Sequence, residues 1–196
     1  MAVISVGHPT IPSSMELSLP IELEPVELSK DVFLQRFKNC ESVCTDEFEY
    51  SDADPGEILS FNSRAIGDCI TMFGMGDSGN LFAWHSSCVE AGNDKVVLEE
   101  LDRHFTDHTI DEKLPYTIYL VGGNGSLSSD DLRVGMMKAI SKFFKKGTFG
   151  GEFINPTKDK GFDFITANFN TRGELHYYFH NEQPHDESGY TSSDSD

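Results

Sequence analysis

A chain of 196 residues with 38% hydrophobic and 11% aromatic content can bury one real core and little more, which predicts a single domain. The formal net charge is -18, and because residues 181–196 hold five acids and no Lys or Arg, residues 1–180 still carry -13. A surface of that sign repels the phosphate backbone and argues against nucleic acid as a partner, whereas a protein with a basic face or a small substrate suits it.

Four cysteines are too few for a disulfide-dense secreted scaffold, so they read as reduced thiols. Met1 to Thr10 lacks the basic start and apolar segment of a secretory signal, and no apolar run is long enough to span a bilayer. The expectation is a protein with no membrane contact, cytoplasmic or secreted into a host cell without a classical signal peptide.

Residues 1–14 read as an N-terminal arm, 15–180 as one α+β domain and 181–196 as a polar, Ser-rich, acidic and disordered tail. Met15, Leu17, Leu19, Ile21 and Leu23 alternate with polar residues as in a strand with one buried face, and Pro20 places that strand at an edge. Ser29 can cap a helix with Asp31 in its first turn, and Phe33, Phe37, Cys40 and Cys44 then share one face. A Cys-x3-Cys pair can be half of a zinc site, but no second half is evident, and cysteine is among the most buried residue types, so both thiols read as core.

Asp46 to Gly56 is acidic and turn-rich and reads as a loop, followed by a strand from Glu57 to Phe61. Ser63 to His85 holds Cys69 at the start of one apolar run and His85 at the end of the next. Between them Gly74, Gly76, Asp77, Ser78 and Gly79 supply what a hairpin turn needs. A hairpin with sheared strands brings Cys69 and His85 side by side, a thiol nucleophile beside its base. Cys88, in the following loop, could be a second thiol near His85, but Cys69 sits in the better defined context.

Asp94 can cap a helix carrying Val97, Leu98, Leu101 and Phe105 at helical spacing. Tyr116 to Val121 is strand-like and runs into Gly122-Gly123-Asn124-Gly125. Ser128 and Asp131 then read as a capping box for a helix with Leu132, Met136, Ile140, Phe143 and Phe144 on one face. No Lys follows the glycine turn and its spacing matches neither nucleotide fingerprint, so no nucleotide or other cofactor is expected. Lys145-Lys146-Gly147 suits a helix end, and strands are expected over 148–154, 161–168 and 174–179. His176 and His180 share a strand face and could be read as metal ligands with His185 or Asp186, but without a fixed ligand spacing they read as a surface pair. The elements together describe an α+β domain: a mostly antiparallel sheet, or a two-layer β sandwich, with helices packed on it.

The turn Ile66-Gly67-Asp68-Cys69, the apolar strand after it, the Gly/Asp-rich turn and the second strand ending in Trp84-His85 resemble the active-site hairpin of the chemoreceptor glutamine deamidase (CheD) family. They are also similar to the related toxin deamidases of the cytotoxic necrotizing factor and Burkholderia lethal factor kind. From Leu59 to Phe179 the later elements follow the chemotaxis family in outline, including a strand running into a Gly-Gly turn. The resemblance implies Cys69 as nucleophile, His85 as base and Ser63, in place of the family's threonine, as the group that orients the histidine. It implies a protein substrate carrying a reactive glutamine, and the acidic tail and Pro-containing strand point to a toxin- or effector-like relative.

Cysteine and histidine suit that chemistry on their own terms. An imidazole that accepts the thiol proton supplies a thiolate, backbone N–H groups of Asp68 and Cys69 could stabilise the oxyanion of a carboxamide under attack, and the imidazolium could protonate departing ammonia. Asp68 adds a charge that opposes thiolate formation, although strand alternation would point it away from Cys69. The alternatives are that Cys69 is a buried core thiol, and that the chain is an acidic, non-catalytic module binding a basic protein surface.

Overall fold

The computed structural model describes residues 25–52, 60–87, 94–111, 115–144, 148–154 and 161–181. Among them the chain runs β1 (Val26–Glu27), α1 (Lys30–Arg36), β2 (Glu41–Val43), β3 (Phe48–Ser51), β4 (Ser60–Ile66), β5 (Ile70–Gly76), β6 (Leu81–Ser86), α2 (Asp94–Asp107), β7 (Tyr116–Gly122), α3 (Leu127–Phe143), β8 (Thr148–Ile154), β9 (Phe164–Asn170) and β10 (Leu175–His180). Two five-stranded sheets form, with orders β1-β10-β9-β4-β2 and β3-β6-β5-β7-β8. The central pairings are antiparallel, and the parallel ones, of β1, β2 and β8, all lie at sheet edges. This is the α+β class that the alternating and helical apolar patterns predict.

Alternation assigns the faces. Phe73, Leu81, Ala83, Tyr119 and Val121 from the second sheet meet Phe61, Ile165, Ala167 and Phe169 from the first in one buried cluster between the sheets. The opposite side of the second sheet, with Met72, Phe82, Trp84, Ile118 and Leu120, packs under Val97, Leu101 and Phe105 of α2 and Leu132, Met136 and Ile140 of α3. Phe82, Phe105, Tyr116 and Phe144 interlock there through edge and stacked ring contacts. Each such ring contributes about 1.5–3 kcal/mol by leaving water. On the far side of the first sheet α1 sets Phe33 and Phe37 over Tyr178. The order is therefore helices, sheet, sheet, short helix.

Several expectations need correction. The loop expected over 46–56 contains β3, because Phe48 and Tyr50 pair with Trp84 and Phe82 of β6 and Phe48 stacks on His104 of α2. Helix α1 keeps its Ser29 cap but closes at Phe37, since the chain turns into β2 to pair with β4. Cys40 and Cys44 therefore share no helix face: Cys40 is half-buried and Cys44 exposed, so the core reading fails for Cys44. The cap of α3 is Ser126, whose hydroxyl accepts from the Ser129 N–H, rather than Ser128. His176 is buried against Phe37 and His180 is hydrogen-bonded to Thr166, because α1 covers the face that was expected to meet solvent.

The arm, the strand expected over Met15 to Leu23, the first residues of the strand expected from Glu57, Cys88, Lys145 to Gly147, His185, Asp186 and the tail from residue 182 lie outside the described residues. Among those described, no helix is long and apolar enough to cross a membrane.

Candidate active site

Strand β4 delivers the site's first residue from one sheet, and the hairpin β5–β6 delivers the rest from the other. Ser63, Thr71 and His85 are all wholly buried between the sheets. Counting back from the Asp77-Ser78-Gly79 tip, β5 and β6 pair Met75 with Leu81 and Thr71 with His85. The hairpin is not sheared, so Thr71 is the residue directly opposite His85. Cys69 sits just before the first residue of β5 and packs at the margin of the inter-sheet cluster.

Ser63 Oγ lies 3.2 Å from His85 Nδ1 and 2.6 Å from Thr71 Oγ1. Ser63 thus stands beside the histidine as the family resemblance implies, and Thr71 joins them as a residue that the resemblance does not include. The sequence carries the signal for Thr71: register counted from the turn sets it across from His85, and period-two alternation gives it the same inter-sheet face as Phe73. The side-chain hydrogen bond of His85 runs to Ser63, and Nε2 is buried with no hydrogen-bond partner.

Burial holds the His85 pKa down at about 4, against its usual 6.5. The nearby Val43 carbonyl and the charges of Asp46 and Glu47 favour the protonated ring but are outweighed. At neutral pH the imidazole is therefore neutral, the form a general base requires, and a standing thiolate–imidazolium pair is disfavoured. The backbone around it is fixed on both sides: the His85 N–H donates to Glu47 O at 3.0 Å and its carbonyl accepts from the Asp46 N–H at 2.6 Å.

The turn that carries Cys69 is built with equal constraint. A bulge in β4 between Ser63 and Ile66 puts Ala65 at φ +48°, with its N–H donated to Thr166 Oγ1 at 3.1 Å. Bulges of this kind end regular pairing and re-aim the chain next to functional sites. On the other side the Gly123 N–H donates to the Cys69 carbonyl at 2.9 Å. Gly122 fits there because it has no Cβ, which would stand 2.4 Å from Ile66 Cγ2 and 2.7 Å from Cys69 O. The Gly-Gly turn after β7 thus seats the cysteine turn, and no phosphate is needed to explain it.

Asp68 behaves differently from the strand-based expectation. The residue lies in the turn, where alternation does not apply, and its Oδ1 is 3.9 Å from Cys69 Sγ. A carboxylate there favours S–H over the thiolate. Cys44 is no better placed as a nucleophile, because partial desolvation of its sulfur and then Glu47 push its thiol pKa up against a smaller opposing effect of Arg64. Among the described residues no group of three or more His, Cys, Asp or Glu side chains could hold a metal ion.

No protein-family model matches the chain, and no curated protein matches it.

Proposed function

We propose that the protein is a glutamine deamidase acting on a partner or host protein, with Cys69 as nucleophile, His85 as base and Ser63 orienting the ring. The observation that carries this reading is the contact of Ser63 Oγ with His85 Nδ1 across the sheet interface, which leaves Nε2 uncommitted while Cys69 packs at the margin of the same inter-sheet layer. As the sulfur bonds to the carboxamide carbon, its proton passes to Nε2 and the carbonyl becomes an oxyanion facing the backbone N–H groups of Asp68 and Cys69. The tetrahedral centre collapses with loss of the C–N bond, and the Nε2 proton leaves with ammonia. Water then attacks the thioester, giving a proton to His85, and the C–S bond breaks to return the thiol and leave a glutamate. No cofactor enters the scheme.

The test is mass spectrometry of candidate host or partner proteins after incubation with the chain. The reading predicts amide-to-acid conversion at a single glutamine that is lost with Cys69→Ser. Equal conversion with and without that change would overturn it.

A second reading, an acidic module that binds a basic protein surface, is favoured by the crowding of carboxylates near β2 and β3. Burial first, then the charges of Glu41 and Glu47, raise the pKa of Glu49. That reading predicts binding that survives Cys69→Ser and weakens steeply as salt rises.

A further inference from the structure

Strand β2 ends one sheet and β3 ends the other, and the turn between them holds the backbone of His85. The His85 N–H donates to Glu47 O. Antiparallel pairing alternates from there, so Glu49 and Ser51 are the β3 residues bonded to Ala83 and Leu81 of β6. The N–H and C=O groups of Phe48 and Tyr50 therefore turn away from β6, and among the described residues no strand pairs with that side of β3. Such a row of backbone groups is a template for an added strand. The side chains select which strand it would take. Phe48 and Tyr50 lie on the helix-facing side, so Glu49, opposite Ala83 of the inter-sheet cluster, points to the layer between the sheets. Glu41 does the same from β2, two residues before Val43 of that cluster. Burial, then the charges of Glu41 and Glu47, raise the pKa of Glu49 against a weaker pull from His108. No Lys or Arg among the described residues forms an ion pair with any of these three carboxylates. A second copy of the chain, itself at -18, would bring further carboxylates to the same edge, and like charges across a strand pair are destabilising. A cationic strand would relieve the crowding instead.

We propose that β3 is a docking edge for an extended, basic segment of a partner protein, which adds as a further strand through the backbone of Phe48 and Tyr50 and sets a Lys or Arg beside Glu49. The edge belongs to the strand next to β6, which carries His85. Under the deamidase reading the segment is the part of the substrate that docks beside the site. The docking stands without that reading, which supplies only the segment's identity as substrate. The inward-pointing Glu49 has a double effect: it keeps like copies from pairing edge to edge, and it discriminates for a strand of opposite charge.

The experiment follows amide hydrogen exchange of the full chain with a blocked peptide, Val-Lys-Val-Lys-Thr-Lys-Val. Two controls are the same peptide with Glu in place of Lys, and the Lys peptide methylated on its backbone nitrogens, which keeps the charge and blocks pairing. In the free chain the Phe48 and Tyr50 amides are expected to exchange fast, and that of Glu49, bonded to Ala83, slowly. The Lys peptide at saturation should slow Phe48 and Tyr50 by about tenfold, and neither control should. Glu49→Lys should weaken the Lys peptide by about tenfold and admit the Glu peptide in its place. Exchange of Phe48 and Tyr50 unmoved by the Lys peptide, or slowed equally by the methylated one, overturns the proposal. So does protection in the free chain that grows with protein concentration, which would assign the edge to a second copy. Ammonia release from a blocked glutaminyl-glycine dipeptide, too short to add as a strand, is read in parallel. If the Lys peptide protects β3 while the parent releases no ammonia, the docking edge stands and the deamidase reading fails.

Discussion

Replacing Gly122 by alanine tests whether the Gly-Gly turn seats the cysteine turn. The new Cβ would stand 2.4 Å from Ile66 Cγ2 and 2.7 Å from the Cys69 carbonyl oxygen, and the backbone is held at φ +113°. A left-handed φ costs an L-residue about 1–2 kcal/mol, and forcing a methyl into packed surroundings costs about 1–3 kcal/mol more. Together they amount to about 3 kcal/mol, which lowers Tm by about 6–12 °C in a domain of this size. Gly125 is the internal control, since it has φ +73° but no atom within 4 Å of its added Cβ. Gly125→Ala therefore meets backbone strain alone, about 1 kcal/mol or 2–4 °C. Thermal unfolding of both variants, followed by circular dichroism, separates the terms. A Gly122→Ala protein no less stable than Gly125→Ala would refute the close approach between β7 and the cysteine turn.

Four other changes, one of them a control, probe the remaining supports. His85 has a folded pKa of about 4 against 6.5 for the ordinary ring, so the unfolded chain binds the proton first as pH falls. The stability this group provides is complete above 6.5 and about 2–3 kcal/mol of it is gone by about pH 4.5. Urea unfolding near neutral pH and near that acid limit should show a smaller loss in His85→Gln than in the parent, and an equal loss would mean the ring is not buried neutral. Ser126→Ala removes the acceptor for the Ser129 N–H and should cost about 1 kcal/mol in the same assay, while Ser128→Ala should be close to neutral. Asp68→Asn removes a carboxylate 3.9 Å from the sulfur. In water-like surroundings such a charge is worth about 1 kcal/mol, so iodoacetamide should alkylate Cys69 about fivefold faster near neutral pH; a slower reaction would mean the carboxylate activates the thiol.

The core helices and central strands were legible because their apolar residues repeat with one clear period. Val97, Leu101 and Phe105 on α2, and Leu132, Met136 and Ile140 on α3, are buried where the spacing puts them. What escaped was set by long-range pairing. Strand β3 is two aromatic residues in an acidic stretch, and only its pairing with β6 makes it a strand. Helix α1 stops because β2 is drawn to β4 across a sequence gap that no local propensity encodes. Within the site, Ser63 and His85 were placed together from a family likeness, while Thr71 required the hairpin register. The resting charge state of His85 follows from burial between two sheets, which no short motif reports.

The most direct measurement of the central claim is intact-mass analysis of the chain quenched in acid during incubation with the blocked glutaminyl-glycine dipeptide. The account predicts an adduct on Cys69 equal to the dipeptide less ammonia, labile to hydroxylamine and absent in Cys69→Ser. Ammonia release that is the same in the parent and in Cys69→Ser, with no adduct on Cys69, would contradict it.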